Sequence, residues 1–293
     1  MTTHGPEREI ERDGWRLIAS DGGLTAAMRD AVLDKSLAAA RGELGEPRRR
    51  SRHAATWQVR MGGPMALEIF IKIIEPGGAL GRIKRRLRGS RAEHVARVVG
   101  MLADSGFAAP PLLLRGAERG FGREIIVAPR AEGDGPLRTL AAFGEKPAGL
   151  ARKRAALRAL GAEIARLHRC GFIHGDLTPF NIFIVPAEPP RFVFIDHERT
   201  RRAFPLGKRR RMLRNLAQLG RFALPGVTAT DRMRVLSGYA AGLGRKRRRA
   251  AMRRVAALVE RRIQRDGLTR VAPLGAGGAE LAGPRRGGGG GNG

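Results

Sequence analysis

The amino-acid sequence predicts an α+β chain in which a strand-rich N-terminal part passes through a short connector near Ala128–Gly135 into a mainly helical C-terminal part. Before residue 128 the apolar residues sit in short runs bounded by Gly and Pro, the pattern of strands and turns. Beyond Pro129 they recur at helical spacing. A chain of 293 residues with a 42% apolar share can bury one large core or two modest ones, which excludes global disorder. The expected division is 1–128, 129–270 and a Gly-rich tail over 271–293.

Gly14–Ser20 reads as a short strand and Leu24–Ala40 as a helix. Arg41–Arg52 is basic and carries Gly42, Gly45 and Pro47, so it reads as a loop. His53–Met61 and Met65–Ile74 are strand-like runs joined by Gly62-Gly63-Pro64, a hairpin pattern. Pro76–Gly89 reads as a second loop, with Arg82, Lys84, Arg85, Arg86 and Arg88. Ser90 suits the N-cap of a helix over Arg91–Asp104, where Val95, Val98, Val99 and Leu102 form one apolar stripe and Gly106 closes it. Leu112–Arg115 and Glu124–Ala128 read as another pair of strands. Further on, Leu157, Leu160, Ile164 and Leu167 step by three, four and three residues, one buried helical face that ends before Gly171. Phe172–Ile173 and Asn181–Val185 are brief apolar runs, and Phe192–Ile195 is a strand ending in an acid. Lys208–Phe222 and Arg245–Arg265 read as basic helices, and the closing PRRGGGGGNG, with nothing to bury, as disordered.

Lys and Arg total 56 against 27 Asp and Glu, a net charge of +29, and only seven of the basic residues are lysine. An Arg-, Ala- and Gly-rich composition accounts for the preference for arginine but not for the shortage of acids. So positive a field favours anionic partners: nucleic acid, an anionic lipid surface or a phosphorylated glycolipid. No run of eighteen apolar residues is present, and the N-terminus is polar and acidic, so the expectation is a soluble cytoplasmic protein without a membrane span or secretory signal. The single Cys170 excludes an internal disulfide framework or a Cys-based zinc site, and at a helix end it reads as a small, partly buried apolar residue.

Chemistry concentrates in Leu167-His168, then His174-Gly175-Asp176-Leu177-Thr178-Pro179-Phe180-Asn181, then Phe192-Val193-Phe194-Ile195-Asp196-His197-Glu198. An acid on a tight loop can accept a proton from an attacking hydroxyl, and an amide five residues later can offer its oxygen to a hard cation. An acid ending an apolar strand suits Mg2+, which takes one or two carboxylates plus phosphate oxygens. Alone, each residue would read as a turn-former or cap. Together, with fifteen residues from Asn181 to Asp196, they match the HxDxxxxN loop and strand-terminal Asp of kinase-like enzymes. Lys72 puts a charge inside the apolar strand LEIFIKII and needs a partner or a ligand there.

These segments resemble the catalytic and metal-binding loops of the protein-kinase-like superfamily, and among its members the lipopolysaccharide core kinases (heptose and Kdo kinases). Gly89-Ser90-Arg91-Ala92-Glu93 through Ser105-Gly106-Phe107-Ala108-Ala109-Pro110 is similar to their helix and its G-x-x-x-P exit. Asp196-His197-Glu198-Arg199 is similar to their metal loop, and the basic helix with RNLAQLGRF to the one that follows it. The resemblance spans roughly residues 55–225. It implies a bilobal protein-kinase-like fold, with an N-terminal nucleotide-binding lobe (antiparallel sheet and one main helix) and a helical catalytic lobe. It implies ATP and Mg2+ as cofactors, Asp176 as catalytic base or hydroxyl-orienting acid, and Asn181 and Asp196 as Mg2+ ligands. Lys72 would bind the α- and β-phosphates with Glu93 as its partner, although Glu93 projects away from the helix's apolar stripe. Ala128 and Arg130 would lie in the hinge that meets adenine.

The sequence also departs from the protein-kinase pattern. No GxGxxG precedes Lys72, so phosphate cover falls to another loop, such as the arginines 48–52. Gly175 stands where the protein-kinase loop has arginine, and His197-Glu198 where it has Phe-Gly. Glu198 is open between a second metal ligand and an arginine partner. The acceptor implied is an anionic glycolipid, the lipopolysaccharide core, met by a peripheral enzyme at the inner face of the cell membrane; Arg199–Arg202, next to the metal loop, is the basic cluster expected to touch it. No specific nucleic acid is expected, and the oligomeric state is open. A small-molecule phosphotransferase of the aminoglycoside or choline kinase type, and a pseudokinase or basic binding protein, stand as alternatives.

Overall fold

The computed structural model describes residues 6–62, 66–78, 89–120, 122–144, 146–203, 207–267 and 269–270. The expected basic loop over Pro76–Gly89 therefore lies mostly outside the described residues, as do Gly63-Pro64 of the hairpin turn and the tail from residue 271. The chain divides into two compact units, Met1–Glu132 with Val193–Thr200, and Gly133–Phe192 with Arg201–Gly293.

The first unit is built on a seven-stranded antiparallel sheet. Its strands are β1 (Glu7–Arg12), β2 (Trp15–Ser20), β3 (Arg49–Ser51), β4 (Ala54–Met61), β5 (Leu67–Ile74), β6 (Leu114–Glu118) and β7 (Glu124–Pro129), in the spatial order β1-β2-β6-β7-β5-β4-β3. Helix α1 (Ala26–Arg41) is Ala-rich, capped by the Thr25 hydroxyl and stopped by Gly42 in the left-handed conformation. Its Val32, Leu33 and Leu37 pack with Trp15, Leu17, Trp57, Ile69, Ile71, Ile73, Ile125 and Val127 in one core. A second cluster joins Ile74 and Ile126 to Ala92, Val95 and Val99 of helix α2 (Arg91–Asp104). Because side chains alternate across a strand, Ile69, Ile71 and Ile73 serve the α1 core, while Lys72 and Ile74 emerge on the α2 side. The expected α2 stripe is buried as predicted.

Two segments of this unit depart from the expectation. Glu7–Arg12 (EREIER), which offers one apolar residue to six positions, is an edge strand. Its backbone pairs with β2 on one side, Glu7 forms an ion pair with Arg115 of β6, and Glu11 with Arg119, one residue past that strand. Charge on an edge strand also discourages pairing with other chains. Arg49–Ser51, inside the run expected to be a loop, pairs with Ala54–Thr56 as a tight hairpin.

In the second unit, α3 (Pro136–Ala142) and α4 (Pro147–Arg169) are followed by β8 (Phe172–Ile173), a 3-10 turn over Pro179–Asn181 and β9 (Ile182–Val185). In β10 (Arg191–Phe194) the chain returns to the first unit. After a 3-10 turn over His197–Arg199 come β11 (Arg201–Arg202), α5 (Lys208–Gly220), β12 (Phe222–Ala223), α6 (Ala229–Tyr239), α7 (Arg245–Asp266) and β13 (Thr269–Arg270). The predicted helical face is buried, with Leu157, Leu160, Ile164 and Leu167 at most 5% exposed. The sequence reading had no helix at α3 or α6. Helix α6 crosses α4 through paired glycines: a Cβ on Gly161 would lie 2.0 Å from the Val235 carbonyl oxygen, and one on Gly238 2.0 Å from that of Arg158. Cys170 caps α4 and is exposed, not partly buried as expected, because it falls past the last turn that packs.

Candidate functional site

Two clusters of functional side chains are formed, one in each unit. In the first unit Lys72 lies in the middle of β5, opposite Thr56 of β4 and Ile126 of β7. Its ammonium sits 3.3 Å from Asp196 and makes a close ion pair with Glu198. Burial disfavours the ammonium, but the two carboxylates outweigh it and hold the Lys72 pKa above the usual lysine value. Lys72 is therefore a cation at neutral pH despite being only 26% exposed.

The loop carrying both acids is held from α2. The His94 ring Nε2–H donates to the Thr200 carbonyl (2.8 Å). His197 is buried, with Nε2 2.9 Å from the Phe194 carbonyl and Nδ1 3.1 Å from the Thr200 hydroxyl. Asp196 itself adopts φ 62° and ψ 63°, a left-handed backbone that non-glycine residues take only when their surroundings impose it. Helix α2 is in turn fixed by the buried Glu124, whose carboxylate accepts from the Ser90 hydroxyl (2.7 Å) and the Ala92 N–H (2.8 Å). A buried acid at the positive end of a helix is well placed electrostatically.

Glu93 is the one predicted site residue drawn elsewhere. Its carboxylate accepts from Arg115 Nε at 3.0 Å, and Arg115 closes a bidentate pair with Glu7 at 2.7 and 2.9 Å. The partner of Lys72 is thus Glu198, two residues past Asp196, and neither role anticipated for Glu198 included it. The cause is competition: Arg115 emerges on the α2 side of β6, and its rigid fork binds two carboxylates at once. Ala128 pairs with Phe70 within the sheet. Arg130 gives its N–H to the Glu68 carbonyl (2.7 Å) and its guanidinium to the Glu68 carboxylate (3.3 Å), so its main-chain donor is used. Arg130 lines a cleft of about 400 Å3 together with Arg60, Ala66, Leu67, Glu68 and Pro129, and Ala128 is not among its lining residues.

In the second unit the loop expected to be catalytic runs from β8 to β9. Gly175 has φ 76°, a conformation that strains any side chain, which is a physical reason for glycine where protein kinases carry arginine. Asp176 follows at once. Its main-chain carbonyl accepts from the Asn181 side-chain amide at 2.9 Å and from the Thr178 N–H at 2.9 Å, so the loop folds onto itself. Asn181 Nδ2 also lies 3.4 Å from Asp176 Oδ2, and the Gln218 amide of α5 donates to Oδ1. One turn before Gln218, Asn215 Oδ1 accepts from the buried His168, whose other ring nitrogen meets the Tyr239 hydroxyl at 2.9 Å. Burial lowers the His168 pKa to about 4, so the ring is neutral. The basic strand β11 lies beside β8, with the Arg202 guanidinium 5.5 Å from the Phe172 ring. Gln218 and Asn215 went unnoticed in the sequence, which shows an amphipathic helix there but not which polar face turns inward.

The donor chemistry fits Mg2+. Asp196 and Glu198 already gather a cation between them, the Lys72 ammonium. Asn181 spends its amide hydrogens on Asp176, while its amide oxygen takes no hydrogen bond among the described residues. Carboxylate and amide oxygens are hard donors. Among the described residues no group of three or more His, Cys, Asp or Glu forms a protein cage, so a hard cation held by either cluster would need further oxygen ligands.

A lysine inside an antiparallel sheet, paired with the acid that ends a later strand, and an Asp–Asn loop on a helical unit define a phosphotransferase of the protein-kinase-like fold. Residues 79–239, more than half of the chain, match the lipopolysaccharide kinase (Kdo/WaaP) family. The chain belongs to that family and is a kinase. Among solved structures it is similar to one described as WaaP in complex with acyl carrier protein, at 23% identity and a TM-score of 0.56, over 78% of this chain and 90% of that one. It is also similar to a bifunctional kinase-methyltransferase, WbdD, at 18% identity and a TM-score of 0.40, over 67% and 47%. No curated protein sequence matches the chain.

Proposed function

We propose that this kinase transfers the γ-phosphate of ATP to a sugar hydroxyl of the lipopolysaccharide inner core, with Asp176 orienting that hydroxyl and accepting its proton. The observation that carries the reading is Asp176 itself: an acid on a self-closed loop, presented by Gly175 and gripped by amides, where in-line attack needs a positioned base. In the step, the acceptor oxygen bonds to the γ-phosphorus as the bond to the bridging oxygen of ADP breaks, and the hydroxyl proton passes to Asp176. Asn181 and Asp196 are the proposed Mg2+ ligands; the ion would neutralise phosphate charge as the bridging bond breaks. Lys72 is the proposed phosphate contact, Ala128 and Arg130 the neighbours of adenine, and the Arg49–Ser51 hairpin with its exposed arginines the phosphate cover that replaces a Gly-rich loop.

An anionic acceptor suits the basic surface. Arg201 and Arg202 run beside the strand that leads into the catalytic loop, and Arg245–Arg249 form the basic first turns of α7. Near an anionic bilayer each such residue contributes about 1 kcal/mol, enough for one cluster to hold the enzyme at the inner face of the membrane. Among the described residues no helix is long and apolar enough to cross it.

The test is transfer of labelled γ-phosphate from MgATP to purified lipopolysaccharide with a truncated inner core, comparing the native chain with Asp176→Ala. The expected result is labelled glycolipid with the native chain and a loss of ~10²–10⁴ in rate with the variant. Near-normal turnover by the variant would end the assignment of Asp176. An unlabelled glycolipid alongside slow ATP hydrolysis would show that the acceptor is another molecule.

A further inference from the structure

The two carboxylate oxygens of Asp176 are not equivalent. Oδ1 takes a short hydrogen bond from the Gln218 side-chain amide, whereas Oδ2 lies 3.4 Å from Asn181 Nδ2, too far for a strong one. Gln218 comes from α5 and from the same face as Asn215, three residues earlier, which holds His168 at the end of α4. One helical face thus grips both ends of the segment from His168 to Asp176, through two amide side chains.

We propose that Gln218 is a positioning residue: its amide N–H fixes Oδ1, sets the plane of the Asp176 carboxylate and leaves Oδ2 as the oxygen that receives the acceptor hydroxyl. The proposal rests on the reading of Asp176 as the hydroxyl-orienting acid. An amide suits the task because it donates without a charge of its own. Carboxylates are held most firmly by donors to the ionised form, and a carboxylate free to rotate presents the right oxygen only part of the time.

The experiment uses the full-length chain with MgATP and truncated-core lipopolysaccharide, comparing Gln218→Met, which keeps the length but removes the donor, Gln218→Glu, and Asp176→Ala. Gln218→Met is expected to lower kcat by ~10–10²-fold with the KM for ATP and MgADP affinity unchanged, the penalty of a misaligned reacting group. Gln218→Glu is expected to be slow at neutral pH and to regain rate toward acid pH, as the new carboxyl takes up a proton and can donate again. Wild-type kcat in Gln218→Met beside an inactive Asp176→Ala would overturn the positioning role and leave the function of Asp176 standing. A fall in kcat matched by a fall in MgADP affinity and melting temperature, with no acid recovery in Gln218→Glu, would also overturn it, since Gln218 would then only hold the fold. Normal turnover in Asp176→Ala would remove the reading on which the proposal stands.

Discussion

Lys72 interrupts Leu67–Ile74 with a charge, and the structure decides which acid that charge meets. Its need for a partner was legible in the sequence, because an ammonium in an apolar strand is costly to bury alone. The identity of the partner was not, since Glu93 and Glu198 are both acids at plausible positions and only the location of Arg115 excludes the first. The two acids therefore separate experimentally. Glu198→Gln should lower kcat/KM for ATP about 10–100-fold, the equivalent of losing one charge-assisted contact to Lys72. Glu93→Gln should leave it within about twofold and cost less than about 1 kcal/mol of stability, because Glu93 is itself half exposed and the buried Arg115 keeps its bidentate pair with Glu7. Steady-state kinetics on both variants decide the point, and a larger effect at Glu93 would sink the assignment of Glu198. Gly175 carries the same lesson: its departure from the protein-kinase pattern was visible in the sequence, but the reason, φ 76°, exists only in the folded loop.

Elements with a strong apolar period were readable, and those held by other means were not. Helix α2 was fixed by its Ser90 cap and its stripe, and α4 by the spacing of Leu157, Leu160, Ile164 and Leu167. Strand β1 was missed because its stability comes from a ladder to β2 and from Glu7 and Glu11 reaching Arg115 and Arg119, none of which is local. Helix α6 was missed because glycine lowers helix propensity, yet here Gly238 is what lets α6 approach α4. Gly161→Ala tests that contact. A methyl at 2.0 Å from the Val235 oxygen cannot be accommodated by a side-chain movement, so the helices must separate, at a cost of about 1–3 kcal/mol or more. Thermal or denaturant unfolding should show the loss, and full stability in the variant would mean that the helices do not pack through this crossing.

For the molecule as a whole, stability against acid follows from a buried neutral ring. The folded His168 has a pKa of about 4 against 6.5 for an exposed histidine, so between those values the unfolded chain binds a proton that the folded one refuses. Stability should therefore fall as pH drops from about 6.5 toward 4, by up to about 3 kcal/mol. His168→Gln should be less stable near pH 7 yet show a shallower loss across that window, which urea titrations at several pH values would read; an unchanged slope would place the acid sensitivity elsewhere. Asp231, held near a pKa of 2 by Lys153, the Thr228 N–H and Arg234 against the effect of burial, adds a second loss below about pH 4. The sequence by itself determined the α+β order, the apolar faces of the main helices, the excess positive charge and the loops on which Asp176, Asn181 and Asp196 lie. These are set by residue type and local spacing, which a linear chain displays in full. Only the tertiary structure decided that Glu198 meets Lys72, that Arg115 takes Glu93 and that Gln218 grips Asp176, because each is a contact between residues at least 20 positions apart, selected by which face of a strand or helix turns inward.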